Sequence, residues 1–209
     1  MKTNVLGTCN VLEACRHHNV KRVIYSSTSS AYGLKNNPPL VETMTRDCLN
    51  PYSVSKCAGE DLCKMYHSLY GLETVIFRYF NVYGERQPTK GQYAPVIGLF
   101  QKQHSNGEPM TVVGDGSQTR DYIHVSDVVN ANILMALHED ESCLGEIFNV
   151  GTGTSYSVMD IVSMVGSDNA NYINGPNRAG EAKNTLADNR KLKSFGWTPK
   201  VKLEEWINP

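Results

Sequence analysis

The spacing of apolar and polar residues predicts a chain of alternating strands and helices. Short runs rich in Val, Ile, Tyr and Phe, bounded by polar residues, are typical of buried strands. Strands are predicted over residues 21–27, 73–80, 109–113, 121–125 and 146–150. Apolar residues that recur every three or four positions predict helices. Helices are predicted over residues 4–17, 52–70, 93–103, 188–194 and 203–207, and two more are predicted to be capped by Ser126 and Ser157.

This alternation predicts the α/β fold class with a parallel sheet. Between the regular elements, residues 81–84 are predicted to form a turn and residues 168–180 a polar loop. The helix at 52–70 is predicted to end at Gly71 and to bury one apolar face. The residues expected on that face are Ala58, Leu62, Met65, Tyr66 and Leu69.

The composition narrows the range of functions. The chain has 209 residues, 40% of them hydrophobic, which suits one domain or one domain with a small lobe. A net charge of −1 with interspersed signs offers no basic surface for nucleic acid or a membrane, and no apolar run could span a bilayer. The six cysteines lack C-x-x-C spacing, and His17-His18 suits a helix end. We therefore expect reduced thiols, a cytoplasmic protein and no metal site.

The strongest candidate for chemistry is the pair Tyr52 and Lys56, which lie one helical turn apart on one face. A tyrosine phenol titrates near ~10, so it becomes a useful base only where its environment favours the phenolate. A nearby ammonium in a site shielded from water has that effect. The alternative is a surface Tyr and Lys on an amphipathic helix, which is the commoner explanation of an isolated Y-x-x-x-K.

Other polar residues lie where strands end. Thr28 follows a predicted strand and could donate to a substrate oxygen, although a loop threonine more often bonds its own backbone. Arg120 and Arg178 could bind phosphate, and surface ion pairs are the ordinary alternative for both. The stretch Gly151–Gly153 lies between a strand and a helix, but it lacks the spacing of a dinucleotide-binding loop.

Six stretches together resemble the extended short-chain dehydrogenase/reductase family, specifically the NAD-dependent nucleotide-sugar epimerases and dehydratases. They occur in the family's order and cover nearly the whole chain. The resemblance implies a partial Rossmann-like, doubly wound parallel sheet with a small C-terminal substrate-binding lobe. We expect residues 1–90 to hold the catalytic half of the Rossmann-like domain, and residues 91–209 to mix the lobe with the last strands. The matching stretches are 23–33, 51–56, 78–84, 120–125, 148–151 and 178–181.

The resemblance also implies roles for individual residues. The threonine at the position of Thr28 polarises the sugar hydroxyl, the tyrosine at that of Tyr52 takes its proton, and the lysine at that of Lys56 activates the tyrosine. Tyr52 and Lys56 are also expected to contact NAD. Three further residues are implied on the cofactor side: Asn4, Ser26 and Tyr79.

The substrate implied by the resemblance is a UDP-sugar. Asn81, Arg120 and Arg178 correspond to residues that contact the nucleotide diphosphate, and Glu181 to one that binds the uridine ribose. Thr185 corresponds to a position where a small residue leaves room for an N-acetyl group. We therefore expect tolerance of N-acetylhexosamines.

The two positions after Thr28 distinguish the reactions within the family. Dehydratases and decarboxylases carry carboxylic acids there, whereas this chain has Ser29 and Ser30. The resemblance therefore favours a 4-epimerase acting on UDP-glucose and UDP-galactose or their N-acetylhexosamine forms. The alternatives are a dehydratase or reductase of the same family, and a non-catalytic nucleotide-sugar-binding or dimerisation module.

One departure from the family concerns the cofactor. The chain has no G-x-x-G-x-x-G turn, whose amides bind the NAD pyrophosphate in the family. We therefore expect an incomplete family member, truncated at its C-terminus as well, that is inactive by itself. The resemblance further implies a homodimer formed through the helices at 4–17 and 52–70.

Overall fold

The computed structural model describes residues 1–89, 94–176 and 182–208. A π-helical turn, Lys2–Leu6, leads directly into the first α-helix. No helix among the described residues is long and apolar enough to cross a membrane. The α-helices are α1 (Gly7–His17), α2 (Pro51–Tyr70), α3 (Val96–Ser105), α4 (Val125–Leu137), α5 (Val158–Gly166), α6 (Arg190–Ser194) and α7 (Leu203–Ile207). The strands are β1 (Arg22–Thr28), β2 (Glu73–Tyr79), β3 (Asn81–Tyr83), β4 (Met110–Val113), β5 (Thr119–His124), β6 (Ile147–Val150), β7 (Ser155–Ser157) and β8 (Tyr172–Gly175).

The central sheet is parallel, with the strand order β1-β2-β6. In its register Thr28 lies beside Tyr79, and Tyr79 lies beside Val150. Val75, Phe77 and Phe148 are fully buried in the core beneath α4 and α6. The predicted α/β class and parallel sheet are confirmed. Among the described residues β1 pairs only with β2, so its other edge has no strand partner.

The remaining strands form two smaller sheets. β5 pairs in parallel with β3 and antiparallel with β7, and β4 pairs in parallel with β8. Two predictions were therefore wrong: residues 81–84 are mostly strand β3 rather than a turn, and the polar loop at 168–180 contains strand β8. Both strands are stabilised by pairing with partners distant in sequence, which a local pattern does not reveal.

Helix α2 begins and ends as the sequence predicts. Asn50 and Ser53 form a reciprocal capping box, Pro51 occupies the first turn, and Gly71 caps the end in the left-handed region at φ 69°. The predicted apolar face was partly wrong. Tyr66 is buried, but Leu69 is 64% exposed. The helix therefore has a second apolar stripe that points away from the core.

The two helices with serine caps differ. Ser157 forms a capping box with Asp160, as predicted for the start of α5. The cap of α4 was predicted wrongly: the helix starts at Val125, and His124 is the cap residue, with Nδ1 accepting from the Ser126 amide. An imidazole nitrogen can replace a hydroxyl here because both accept hydrogen bonds from a backbone N–H.

Candidate active site

The candidate acid–base residues come from the end of β1 and the start of α2. Thr28 is the last residue of β1, and its Oγ1 accepts a hydrogen bond of 3.1 Å from the Ser30 amide. Because that bond occupies only a lone pair, the Thr28 hydroxyl proton can still be donated to a ligand. Tyr52 is the second residue of α2, and its side chain is half exposed.

Lys56 links the same helix to the strand. Its Nζ donates to the carbonyl oxygen of Ser26 at 2.6 Å, and the ammonium lies 5.1 Å from the centre of the Tyr25 ring. Burial lowers the pKa of Lys56, because it disfavours the charged form. The structure therefore holds this ammonium against β1 rather than in open solvent.

The predicted cofactor-side residues form two hydrogen-bonded groups. Ser26 Oγ donates to the Tyr79 hydroxyl at 3.3 Å, which links them across β1 and β2. Asn4 Nδ2 donates to Ser55 Oγ at 2.9 Å, and Ser55 Oγ in turn donates to the Tyr52 carbonyl at 2.7 Å. The second group therefore adjoins Tyr52 on α2, whereas the Tyr79 hydroxyl also donates to Asn132 Oδ1 of α4 at 3.0 Å.

A cleft of about 540 Å³ is lined by residues of β3, β4, β5 and α3 and by the segment that follows β1. Asn81, Arg120 and Thr185, which are far apart in sequence, all line it, together with Ser29 and Ser30. Thr28, Tyr52 and Lys56 are not in its lining, although Ser29 and Asn50, the chain neighbours of Thr28 and of the first turn of α2, are. The cleft thus begins beside the candidate acid–base residues.

Arg120 lies on the wall of this cleft, on β5. It also borders a second hollow of about 550 Å³, which Asp115 and Lys183 line as well. One guanidinium nitrogen of Arg120, Nη1, donates to the carbonyls of Thr119 and Lys183 at 2.9 and 3.1 Å. These bonds fix a cation at the junction of the two hollows.

The cleft contains buried hydroxyl groups that have no hydrogen-bond partner among the described residues. They belong to Tyr83, Tyr122 and Thr185. Burial raises the pKa of Tyr122 and Tyr83, so both phenols remain neutral donors at neutral pH. Because buried polar atoms are usually hydrogen-bonded, these three indicate that a polar ligand belongs in the cleft.

The backbone amides of the loop after β6 bond a side chain of the protein itself. The Asp121 carboxylate accepts the amides of Thr152 and Gly153 at 2.8 and 2.9 Å, and that of Ala187 at 3.0 Å. Burial raises the pKa of Asp121, and the amide bonds oppose that shift. Asp121 therefore holds the segment that carries Thr185 against β5, and the suspected phosphate cradle is occupied by this side chain.

Sequence reasoning missed several residues that position the site. Asp121, Ser55 and the buried Glu60 were not identified, because a carboxylate or hydroxyl in a helix or strand is normally exposed. Two predicted residues, Arg178 and Glu181, lie outside the described residues. Within the described parts of the chain, no group of three or more His, Cys, Asp or Glu side chains could hold a metal ion.

Comparison with known proteins links this architecture to characterised relatives. The chain is 39% identical over 208 residues to a putative UDP-glucose 4-epimerase of Methanocaldococcus jannaschii, covering 98% of this chain and 66% of that protein. It superposes with a TM-score of 0.91 and 35% identity on the UDP-N-acetylglucosamine 4-epimerase of Methanobrevibacter ruminantium in complex with UDP-N-acetylmuramic acid. That match covers 99% of this chain and 66% of the Methanobrevibacter protein. The UDP-glucuronic acid 4-epimerase of Bacillus cereus, in complex with UDP-glucuronic acid and NAD, superposes with a TM-score of 0.89 and 33% identity. That match covers 99% of this chain and 65% of the Bacillus protein.

The chain spans about two thirds of the length of these relatives. Residues 1–151 match the NAD dependent epimerase/dehydratase family. That match includes β1, α2 and β2, the elements that carry Thr28, Tyr52, Lys56 and Tyr79. The chain therefore belongs to the NAD-dependent epimerase/dehydratase family.

Proposed function

We propose that this chain provides the sugar-binding and acid–base part of a UDP-sugar 4-epimerase site. One observation carries the proposal: Asn81, Arg120 and Thr185 converge on a single cleft that begins beside Thr28 and α2. The cationic Arg120 suits a diphosphate, and the unpartnered hydroxyls suit a sugar and a ribose. The two solved structures named above are 4-epimerases of UDP-sugars, and the Methanocaldococcus jannaschii relative is named a putative one, which supports the same substrate class.

The proposed acid–base step uses Thr28 and Tyr52. Thr28 would donate its free hydroxyl proton to the oxygen at C4 of the sugar, and Tyr52 would accept the proton that this 4-hydroxyl loses. Lys56 holds its positive charge one helical turn from Tyr52, and a positive charge stabilises the anionic form in which a phenol acts as a base. After the keto-sugar has turned over, Tyr52 would return its proton to the C4 oxygen as the hydride is returned to the opposite face of C4, which completes the epimerisation.

The residues of this chain fit only one end of the cofactor. Ser26 and Tyr79 form a hydrogen-bonded pair across β1 and β2, and Lys56 bonds the Ser26 carbonyl; these polar groups suit a ribose and a nicotinamide. The sequence has no G-x-x-G-x-x-G turn to bind the pyrophosphate. When bound, NAD supplies the hydride acceptor for this reaction.

Epimerisation is favoured over dehydration by the lining of the cleft. Expulsion of water from a sugar requires a further acid and base. Ser29 and Ser30 occupy the two positions after Thr28, and no Asp or Glu lines the cleft within the described residues. A 4-epimerase requires only proton and hydride transfer at one carbon, which the observed side chains suit.

The test is an assay of the purified chain with NAD and UDP-glucose or UDP-N-acetylglucosamine, with products resolved by NMR. We expect no turnover by the 209-residue chain, because the pyrophosphate turn is not in its sequence. Formation of the 4-epimer would contradict the proposed inactivity while supporting the reaction type. A 4-keto-6-deoxy product would contradict the proposed reaction and favour the dehydratase alternative.

We also propose a homodimer formed through α1 and α2. Val11 and Leu69 are 56% and 64% exposed, and both lie on these two helices. Light scattering should give twice the chain mass, and Leu69→Glu should give the monomer. Leu137→Glu, at a 77% exposed residue of α4, should leave the dimer intact; a monomeric wild type would contradict the proposal. All six cysteines are free thiols, which suits the proposed cytoplasmic location.

A further inference from the structure

A buried ionic cluster joins the three elements that carry the candidate site. Arg78 on β2 donates from Nε and Nη2 to the two carboxylate oxygens of Glu60 on α2, at 2.9 and 2.8 Å. Ser27 on β1 donates to Glu60 Oε1 at 2.5 Å. The three residues are only 1–4% exposed. One carboxylate therefore connects a helix to two neighbouring strands inside the protein.

Each member of the cluster adjoins a residue of the candidate site. Ser27 precedes Thr28, and Arg78 precedes Tyr79. Glu60 lies one helical turn after Lys56 on the same face of α2. Since Lys56 Nζ bonds the Ser26 carbonyl and Glu60 accepts from Ser27, two successive turns of α2 are attached to two successive residues of β1.

The cluster also extends to the wall of the cleft. The Arg78 guanidinium lies 4.7 Å from the centre of the Tyr32 ring, and Tyr32 lines the cleft. The Tyr32 hydroxyl donates to Asn149 Oδ1 at 2.6 Å, which adds β6 to the network. The same charges are thus in contact with α2, with all three strands of the central sheet and with the cleft wall.

Stability alone does not account for this arrangement. Burying two charges carries a large desolvation cost, and well-packed apolar residues of similar volume are often as stable or more so. The neighbouring positions Cys63, Val75 and Phe77 are apolar and fully buried, so an apolar pair would suit this environment. A directional network, unlike an apolar contact, sets the rotation of a helix.

We propose that Glu60 is a positioning residue, which with Arg78 and Ser27 fixes α2 on β1 so that Lys56 and Tyr52 face the end of that strand. The significance of Tyr52 and Lys56 rests on the proposed function. The placement of Lys56 itself is measurable without substrate or cofactor, so failure of this inference is distinguishable from failure of the proposed epimerase site.

The experiment is an NMR titration of the Lys56 ammonium in the full 209-residue chain, comparing wild type with E60M/R78M and S27A. The double variant removes both charges together, so the net charge near Lys56 is unchanged. If α2 shifts, Lys56 leaves its partly buried position against β1, and its pKa rises towards that of an exposed lysine. Chemical denaturation should show that E60M/R78M is more stable than E60M or R78M alone, because each single variant leaves one buried charge without its two-bond partner.

The matched control is R22M/E73M. Arg22 and Glu73 form another Arg–Glu pair between β1 and β2, at the opposite end of the strands, with 2.8 Å between Nε and Oε2. If Glu60 positions α2, the pKa of Lys56 is unchanged in R22M/E73M and is raised in both E60M/R78M and S27A. An unchanged pKa in folded E60M/R78M, or an equal rise in the control, would overturn it. If E60M/R78M does not fold, S27A decides by the same criterion, because it removes only one hydroxyl.

Discussion

The ammonium of Lys56 donates a 2.6 Å hydrogen bond to the carbonyl oxygen of Ser26. This bond attaches the helix that carries the candidate base to the strand that carries Thr28. Gly59 allows α2 to pack closely on β1, because a Cβ at this position would collide with the Tyr25 side chain. The relative placement of helix and strand is therefore the property on which the proposed chemistry most depends.

Gly59→Ala should destabilise the protein. A Cβ at residue 59 would lie 2.0 Å from the Tyr25 hydroxyl, and Tyr25 is buried, so its ring cannot move away freely. We expect a loss of about 1–3 kcal/mol, the usual cost of overpacking. Urea denaturation measures it.

Gly7→Ala is the matched control for that variant. Gly7 is also helical, but its added Cβ would meet only the Lys2 carbonyl, at 3.9 Å. We therefore expect a gain of about 0.5–1 kcal/mol, because alanine favours the helix. Equal effects of the two substitutions would show that helix propensity, rather than contact with β1, determines the result.

Glu42→Gln should alter the pH dependence of stability. Burial raises the pKa of Glu42, so its contribution to stability is present at low pH and is lost as pH rises through the folded-state pKa. A glutamine stays neutral and can still accept the Asn149 amide, which lies 2.8 Å from Glu42 Oε1. The free energy of unfolding of the variant minus that of wild type should therefore be larger at about pH 7 than at about pH 4.

Asp47→Asn should show the opposite sign. The amides of Leu34 and Lys35 bond the Asp47 carboxylate and lower its pKa, so its contribution is present at neutral pH and is lost as pH falls through the folded-state pKa. Loss of the charge should therefore cost stability at about pH 7 and little at about pH 3. Identical pH profiles for Asp47→Asn and Glu42→Gln would contradict the assigned pKa shifts.

The sequence patterns succeed where the cause is local. Asn50, Pro51 and Gly71 define the ends of α2 through contacts within one turn, so they could be identified from the sequence. Strand β8 could not, because it is stabilised by pairing with β4, about 60 residues earlier in the chain.

The positioning residues could not be identified from the sequence for a similar reason. Glu60 looks like a surface glutamate in a helix, and its partners Ser27 and Arg78 are 33 and 18 residues away. Asp121 likewise bonds amides 31, 32 and 66 positions later. A single sequence shows which residues resemble a known motif, but the buried network that orients them becomes visible only in the fold.

Thr185→Tyr should change sugar selectivity. Thr185 lines the cleft, and its buried Oγ1 has no partner among the described residues, so a larger ring would fill space beside the ligand. We expect binding of UDP-N-acetylglucosamine to weaken by roughly tenfold or more relative to UDP-glucose, as a steric change in a pocket allows. Thr185→Val, which conserves volume, should leave the ratio of the two affinities unchanged. Parallel losses for both sugars in Thr185→Tyr would remove Thr185 from the sugar subsite.

Calorimetric titration of the 209-residue chain with UDP-glucose tests directly whether the cleft binds a UDP-sugar. The proposed site predicts saturable binding to one site per chain. Arg120→Met should weaken it by roughly 10- to 100-fold, the loss expected when a charged hydrogen-bond donor is removed. Arg190→Met removes an arginine that pairs with Asp188 and does not line the cleft, and this variant should bind as wild type does. Absence of binding, or equal affinity of Arg120→Met and wild type, would contradict a UDP-sugar site in this cleft.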